Sequence, residues 1–149
     1  MSFSRNVMLV LIIMWVMFMS GSFESGVEAA FKADRVFVSI KNDLTTLLTL
    51  GCHSSEDGIG TRTLQTNQTY DFNFRPNFWG STKFVCDFLW ELDSKRISHD
   101  NFLIYKYKRD RYLCNTNCRW GINQTHATQY VPKDDPYVIG HDDIGYPWS

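Results

Sequence analysis

Beyond residue 30 the chain alternates between apolar and polar positions, with no sustained period near 3.6. This is the pattern of half-buried strands rather than of amphipathic helices. In "RVFVSIKN", Val36, Val38 and Ile40 point one way, and Phe37, Ser39 and Lys41 the other. In "TLLTLGCHS", Leu48, Leu50 and Cys52 share a face. "SSEDGIGT" is a turn-rich loop centred on Asp57-Gly58. Alternation resumes through Tyr70, Phe72 and Phe74, and Arg75-Pro76-Asn77 breaks it, since proline removes a ladder donor. Gly80 marks a further turn, and Phe84, Cys86, Phe88 and Trp90 again share one face. "ELDSKRISHDN" then reads as a charged loop. "FLIYKYKRD" and "RYLC" read as a hairpin turning at Arg109-Asp110, and "CRWGI" as a short final strand. About eight short antiparallel strands spaced by turns predict an all-β fold, a small β-sandwich.

The two ends depart from this pattern. Val7 to Met19 is an unbroken apolar run after Arg5. It is shorter than the roughly 20 residues needed to cross a bilayer and reads as the apolar core of a secretory leader. Cleavage is expected after Ala29, with Ser20-Gly21-Ser22 as the competing site. The domain layout is therefore a leader at 1–29, a sandwich at 30–130 and a tail at 131–149. That tail carries three prolines and four aspartates. Such a composition predicts either a disordered end or an acidic strap over the basic stretch 95–119, which carries seven Lys or Arg against Asp100 and Asp110.

Removing the leader takes away Arg5, Glu24 and Glu28, leaving 14 basic and 14 acidic residues. A balanced chain is not a general nucleic-acid binder, and membrane contact is expected only through the leader. Cys52, Cys86, Cys114 and Cys118 all lie beyond it, and an exported chain with four cysteines predicts two disulfides. Three connectivities are open. Asn67-Gln68-Thr69 and Asn123-Gln124-Thr125 are glycosylation sequons. His53, His99, His126 and His141 lack any local catalytic motif, and no metal or phosphate-loop signature is present. The chain is expected to be no enzyme and to need no cofactor or metal.

The ordered pieces resemble the plant self-incompatibility S1 family, the secreted S-protein homologues. They are a strand with Asn42; Cys52 and Ser54 or Ser55 before Asp57-Gly58; Tyr70-Asp71-Phe72-Asn73-Phe74; Trp79-Gly80-Ser81-Thr82; Phe84-Val85-Cys86-Asp87-Phe88; and Cys118-Arg119-Trp120. The resemblance spans about residues 35 to 123, and the acidic tail extends past the usual end of the domain. It implies a secreted, disulfide-stapled β-sandwich acting as an extracellular ligand; in the family's best-known role the stigma secretes the protein and pollen recognises it. The pairing favoured is Cys52–Cys118 with Cys86–Cys114.

The partner is then a cell-surface receptor or another extracellular ligand, met by loops on the sandwich. Three loops are candidates: 53–61, 91–101 and 106–117. The last ranks first, because Lys106, Tyr107, Lys108, Arg109, Arg111 and Tyr112 mix arginine with tyrosine, residues enriched at interface hot spots. Phe78 and Trp79 sit in the turn between Pro76 and Gly80, where alternation does not assign them a side. They make a sugar-binding module the alternative reading, with Tyr105, Tyr107 and Tyr112 as further platform candidates.

Overall fold

The computed structural model describes residues 5–19, 33–139 and 142–149. The chain divides into two units, Met1–Lys32 and Ala33–Ser149. The first holds helix α1 (Arg5–Met19), whose side chains from Val7 to Val16 are exposed. No helix among the described residues is long and apolar enough to span a membrane. Both expected cleavage sites, and His141, lie outside the described residues.

The second unit is a two-sheet sandwich of nine strands. They are β1 (Val36–Asn42), β2 (Leu48–His53), β3 (Gly58–Leu64), β4 (Thr69–Phe74), β5 (Lys83–Leu92), β6 (Lys95–Lys106), β7 (Asn117–Ile122), β8 (His126–Tyr130) and β9 (Ile144–Pro147). One sheet runs β4-β1-β7-β8-β9, the other β3-β2-β5-β6. Pairing is antiparallel except between β1 and β7, which run parallel. That pair corrects the all-antiparallel expectation. Two parallel neighbours need a long crossover, and here the connection between them passes through the whole second sheet.

The alternating residues enter the core as their spacing requires. Val36, Val38 and Ile40 are buried on β1, and Phe84, Cys86, Phe88 and Trp90 on β5. Phe72, Phe74, Phe84 and Tyr105 form a continuous ring contact, with Phe74 and Phe84 centroids 4.3 Å apart. Asn42 is fully buried because its amide replaces missing backbone partners: Nδ2 donates to the carbonyls of Thr46 and Leu64, and Oδ1 accepts from Leu44 N–H. It ties the β1–β2 loop to β3.

Four expectations change. The stretch 91–101 is not a loop: β5 and β6 form a long hairpin whose turn is only Asp93-Ser94, both at positive φ. Two left-handed residues match the right-handed twist of the flanking strands. The expected hairpin at Arg109-Asp110 is instead a single helical turn, α2 (Tyr107–Asp110), followed by turns up to β7. The disulfides are Cys52–Cys86 and Cys114–Cys118, not Cys52–Cys118 and Cys86–Cys114. Cys52 and Cys86 stand directly opposite each other on β2 and β5, Cα atoms 4.0 Å apart, whereas Cys118 lies on the other sheet.

The tail is the fourth. Its β9 pairs with β8, and Tyr146 and Trp148 pack against the core. Trp148 touches Phe88, Trp90, His99 and Phe102. Two large aromatic side chains bury enough apolar area to offset the entropy of ordering a short segment. The tail aspartates make none of the ion pairs an acidic strap would need. Asp135 accepts from Asn115 and from Tyr137 N–H, and Asp143 from Val131 N–H. The only ion pairs among the described residues are Lys41–Asp43 and Arg109–Asp110.

Candidate functional site

The segment after β6 is anchored from below. Asp110 is wholly buried. Its carboxylate accepts from Lys106 N–H at 2.6 Å, from Arg109 Nε and Nη2 at 2.9 Å each, and from Gln129 Nε2 at 2.7 Å. Arg109 Nη2 also donates to the carbonyls of Leu103 and Ile104. The Arg109 guanidinium lies 5.5 Å from the ring centroids of both Trp120 and Tyr146. Tyr146 closes the network by donating its hydroxyl to Gln129 Oε1 at 3.0 Å. Burial raises its phenol above the ordinary tyrosine value; Asp110 adds to that and Arg109 opposes it. A neutral Tyr146 keeps the proton it donates. A buried carboxylate that is paired and fully hydrogen-bonded is tolerable where a bare one is not. The Cys114–Cys118 bridge then closes the turn leading into β7.

Arg109 is therefore turned inward and only partly exposed, its guanidinium committed to Asp110 and to backbone carbonyls, which corrects its expected place on the partner surface. The same holds for Tyr105, which is buried and cannot serve as a sugar platform.

The surface above this anchor is built from two segments. The first is the loop 75–82 between β4 and β5. Pro76 is buried. Asn77 folds the loop on itself: its N–H donates to Thr82 Oγ1, its Oδ1 accepts from Ser81 N–H, and its Nδ2 donates to Ser81 Oγ. Gly80 sits at φ 65° with the Tyr107 ring against it; a Cβ there would lie 2.8 Å from Tyr107 Cδ1. Only glycine satisfies both the left-handed backbone and that approach. Tyr107 N–H donates to Thr82 O at 3.1 Å, which locks the loop to α2.

This scaffold holds Phe78 and Trp79 outward, 62% and 81% exposed, their rings 5.3 Å apart and nearly perpendicular. The second segment carries Lys108, Arg111 and Tyr112, all exposed. The Arg111 guanidinium lies 4.3 Å from the Tyr112 centroid and 5.7 Å from that of Tyr107. Lys106 ends β6 and is exposed. Six of the eight sequence-predicted partner residues (Phe78, Trp79, Tyr107, Lys108, Arg111 and Tyr112) thus meet at one end of the sandwich, with Lys106 at their margin.

Arg75 and Lys83, exposed at the two ends of the same loop, belong to this surface and were not singled out by the sequence reading. The register of β5 on β6 supplies the missing signal: Lys83 stands directly opposite Lys106.

The remaining candidates lie apart. The expected loop 53–61 shrinks to the turn 54–57, since His53 ends β2 and Gly58 begins β3; in it Ser54 Oγ accepts from the N–H groups of Glu56 and Asp57, and His53 is exposed. Asn67 is exposed at a positive-φ turn position. Asn123 is half-buried, its Oδ1 accepting from Thr125 N–H and His126 N–H. His99 stacks on Trp148 at 4.5 Å, and burial lowers its pKa below the ordinary histidine value, Asp100 opposing. Among the described residues no cluster of three or more His, Cys, Asp or Glu could hold a metal.

Residues 37–148 match the model of the family described as plant self-incompatibility protein S1. The chain belongs to the plant self-incompatibility S1 family. Its relatives include S-protein homolog 5 of Arabidopsis thaliana, 34% identical over 102 residues and covering 68% of each chain. S-protein homolog 2 of the same plant is 31% identical over 131 residues, 84% of this chain and 75% of the relative. A solved structure of self-incompatibility protein homologues, described as small, highly stable, secreted proteins from plants, aligns with a TM-score of 0.49 at 15% identity. It covers 76% of this chain and 96% of that one. The S1 match runs through Trp148, so β9 is part of the family domain rather than an addition to it. Neither the family's description nor the names of these relatives denotes an enzyme.

Proposed function

We propose that this chain is a secreted recognition protein, not an enzyme, that binds a partner at a cell surface through the end of the sandwich bearing Phe78, Trp79, Lys108, Arg111 and Tyr112. The apolar leader, removed after Ala29, delivers it outside the cell. The two disulfides suit an oxidising compartment. Asn67 and Asn123 carry glycans acquired on the same route.

One observation carries the reading: two large aromatic rings stand exposed on a loop that hydrogen bonds and Gly80 hold rigid. Exposed aromatics on a pre-ordered loop lose little entropy on binding, and aromatics beside arginine dominate interface energetics. A sugar-binding role remains the second reading, favoured by the open ring of Trp79.

The test is binding of the labelled protein to its target cells. Phe78→Ala with Trp79→Ala, and separately Lys108→Ala with Arg111→Ala, are expected to abolish surface binding while thermal unfolding stays unchanged. Undiminished binding by both folded variants would reject this surface.

A further inference from the structure

Resting on that reading, we infer that the ligand of this surface is an acidic polysaccharide, a chain of sugars bearing carboxylates. The charge at this end of the molecule is one-sided. Segments 75–83 and 106–112 carry Arg75, Lys83, Lys106, Lys108, Arg109 and Arg111 against a single acidic residue, Asp110. Asp110 is buried and already committed to Arg109. Arg75, Lys83, Lys106, Lys108 and Arg111 are exposed and make no ion pair among the described residues. The chain beyond the leader is balanced only as a whole: outside these two segments it carries 8 basic and 13 acidic residues, so this is a local concentration and not a general basic character.

Lys83 and Lys106 sharpen the point. They are cross-strand partners at the ends of β5 and β6, with Phe84 and Tyr105 beside them facing the core. Like charges directly opposite in a sheet are unfavourable. A bound carboxylate would remove that repulsion. The tail aspartates do not: among the described residues none of them forms an ion pair with either lysine.

The aromatics select among polyanions. Phe78 and Trp79 meet edge to face, at 74°, and so offer ring faces to the side rather than a single apolar wedge. The hydroxyls of Ser81 and Thr82 and the amide of Asn77 lie in the same loop, a polar setting that suits sugar better than lipid. The exposed cations come from two segments: Lys83 and Lys106 as a cross-strand pair at the ends of β5 and β6, and Lys108 and Arg111 in and just after α2. Several separate cations suit a ligand with repeated carboxylates better than a single headgroup. Trp79 would stack on a sugar ring, and Arg111, already braced on Tyr112, would present its fork to a carboxylate.

The experiment uses the protein as secreted by its expressing cells, with immobilised polygalacturonate as the probe. Retention that declines with added salt is expected. Trp79→Ala keeps every charge and should weaken binding roughly tenfold, equivalent to about 1.4 kcal/mol. Lys83→Ala with Lys106→Ala should weaken it comparably. Retention indifferent to Trp79→Ala means ion exchange only and overturns the inference. So does tighter binding to phosphatidylserine-containing vesicles or to single-stranded RNA. If polygalacturonate is not bound while surface binding to cells still depends on Phe78 and Trp79, this inference alone falls. If that cell binding is also indifferent to the two residues, the parent reading falls with it.

Discussion

Arg109 and Arg111 are two residues apart in one short segment and have opposite roles. Arg109 turns inward, pairs with a fully buried carboxylate and lies against Trp120 and Tyr146. Arg111 turns outward, makes no ion pair among the described residues and rests on Tyr107 and Tyr112. The inner arginine holds the segment in place, and the outer one is presented by it. The contrast shows why a basic, tyrosine-rich stretch cannot be taken whole as an interface. Part of its charge is spent in building the platform.

The largest effect should come from the inner arginine. Arg109→Ala strands a buried carboxylate without a counter-charge, so a loss of about 3–5 kcal/mol is expected in urea unfolding. Arg111→Ala should change stability by less than about 0.5 kcal/mol, as surface substitutions do. Equal costs for the two would break the comparison. Asp110→Asn should be milder than Arg109→Ala, about 2 kcal/mol, because the Arg109 side chain is partly exposed and reaches water.

Gly80→Ala comes next. It forces a side chain at φ 65° into the Tyr107 ring and should cost about 1–2 kcal/mol. Its sharper readout is binding: the tip that presents Trp79 would shift, so affinity should fall although no contact residue changed.

The smallest effect concerns pH. His99 has its pKa lowered by burial against Trp148. The unfolded chain therefore binds this proton more readily. Stability from His99 is full above the unfolded histidine value and is lost as pH falls through the lower folded value. Melting temperature should drop on acidification below about pH 6.5, and His99→Phe should reduce that drop. An identical acid profile in the variant would remove His99 from the account.

Much of the sandwich was legible in one dimension because burial on a strand has a period of two. Val36, Val38, Ile40, Phe84, Phe88 and Trp90 needed only their spacing. That the four cysteines form two disulfides was legible from their number. Phe78 and Trp79 stood out because they broke the alternation, and the structure exposes both.

What the sequence left open depends on which strands become neighbours. The disulfide pairing follows from Cys52 and Cys86 meeting across β2 and β5, a matter of register between segments 34 positions apart. The tail reads as disordered by composition, yet Tyr146 and Trp148 find a core that only the assembled sheets provide. Arg109 and Arg111 are the same residue in sequence terms; the buried carboxylate of Asp110, held by Gln129 from β8, decides which one turns inward. Local spacing sets which face a side chain takes on its own strand. Only long-range packing sets what that face meets, because charge, register and contact are properties of pairs.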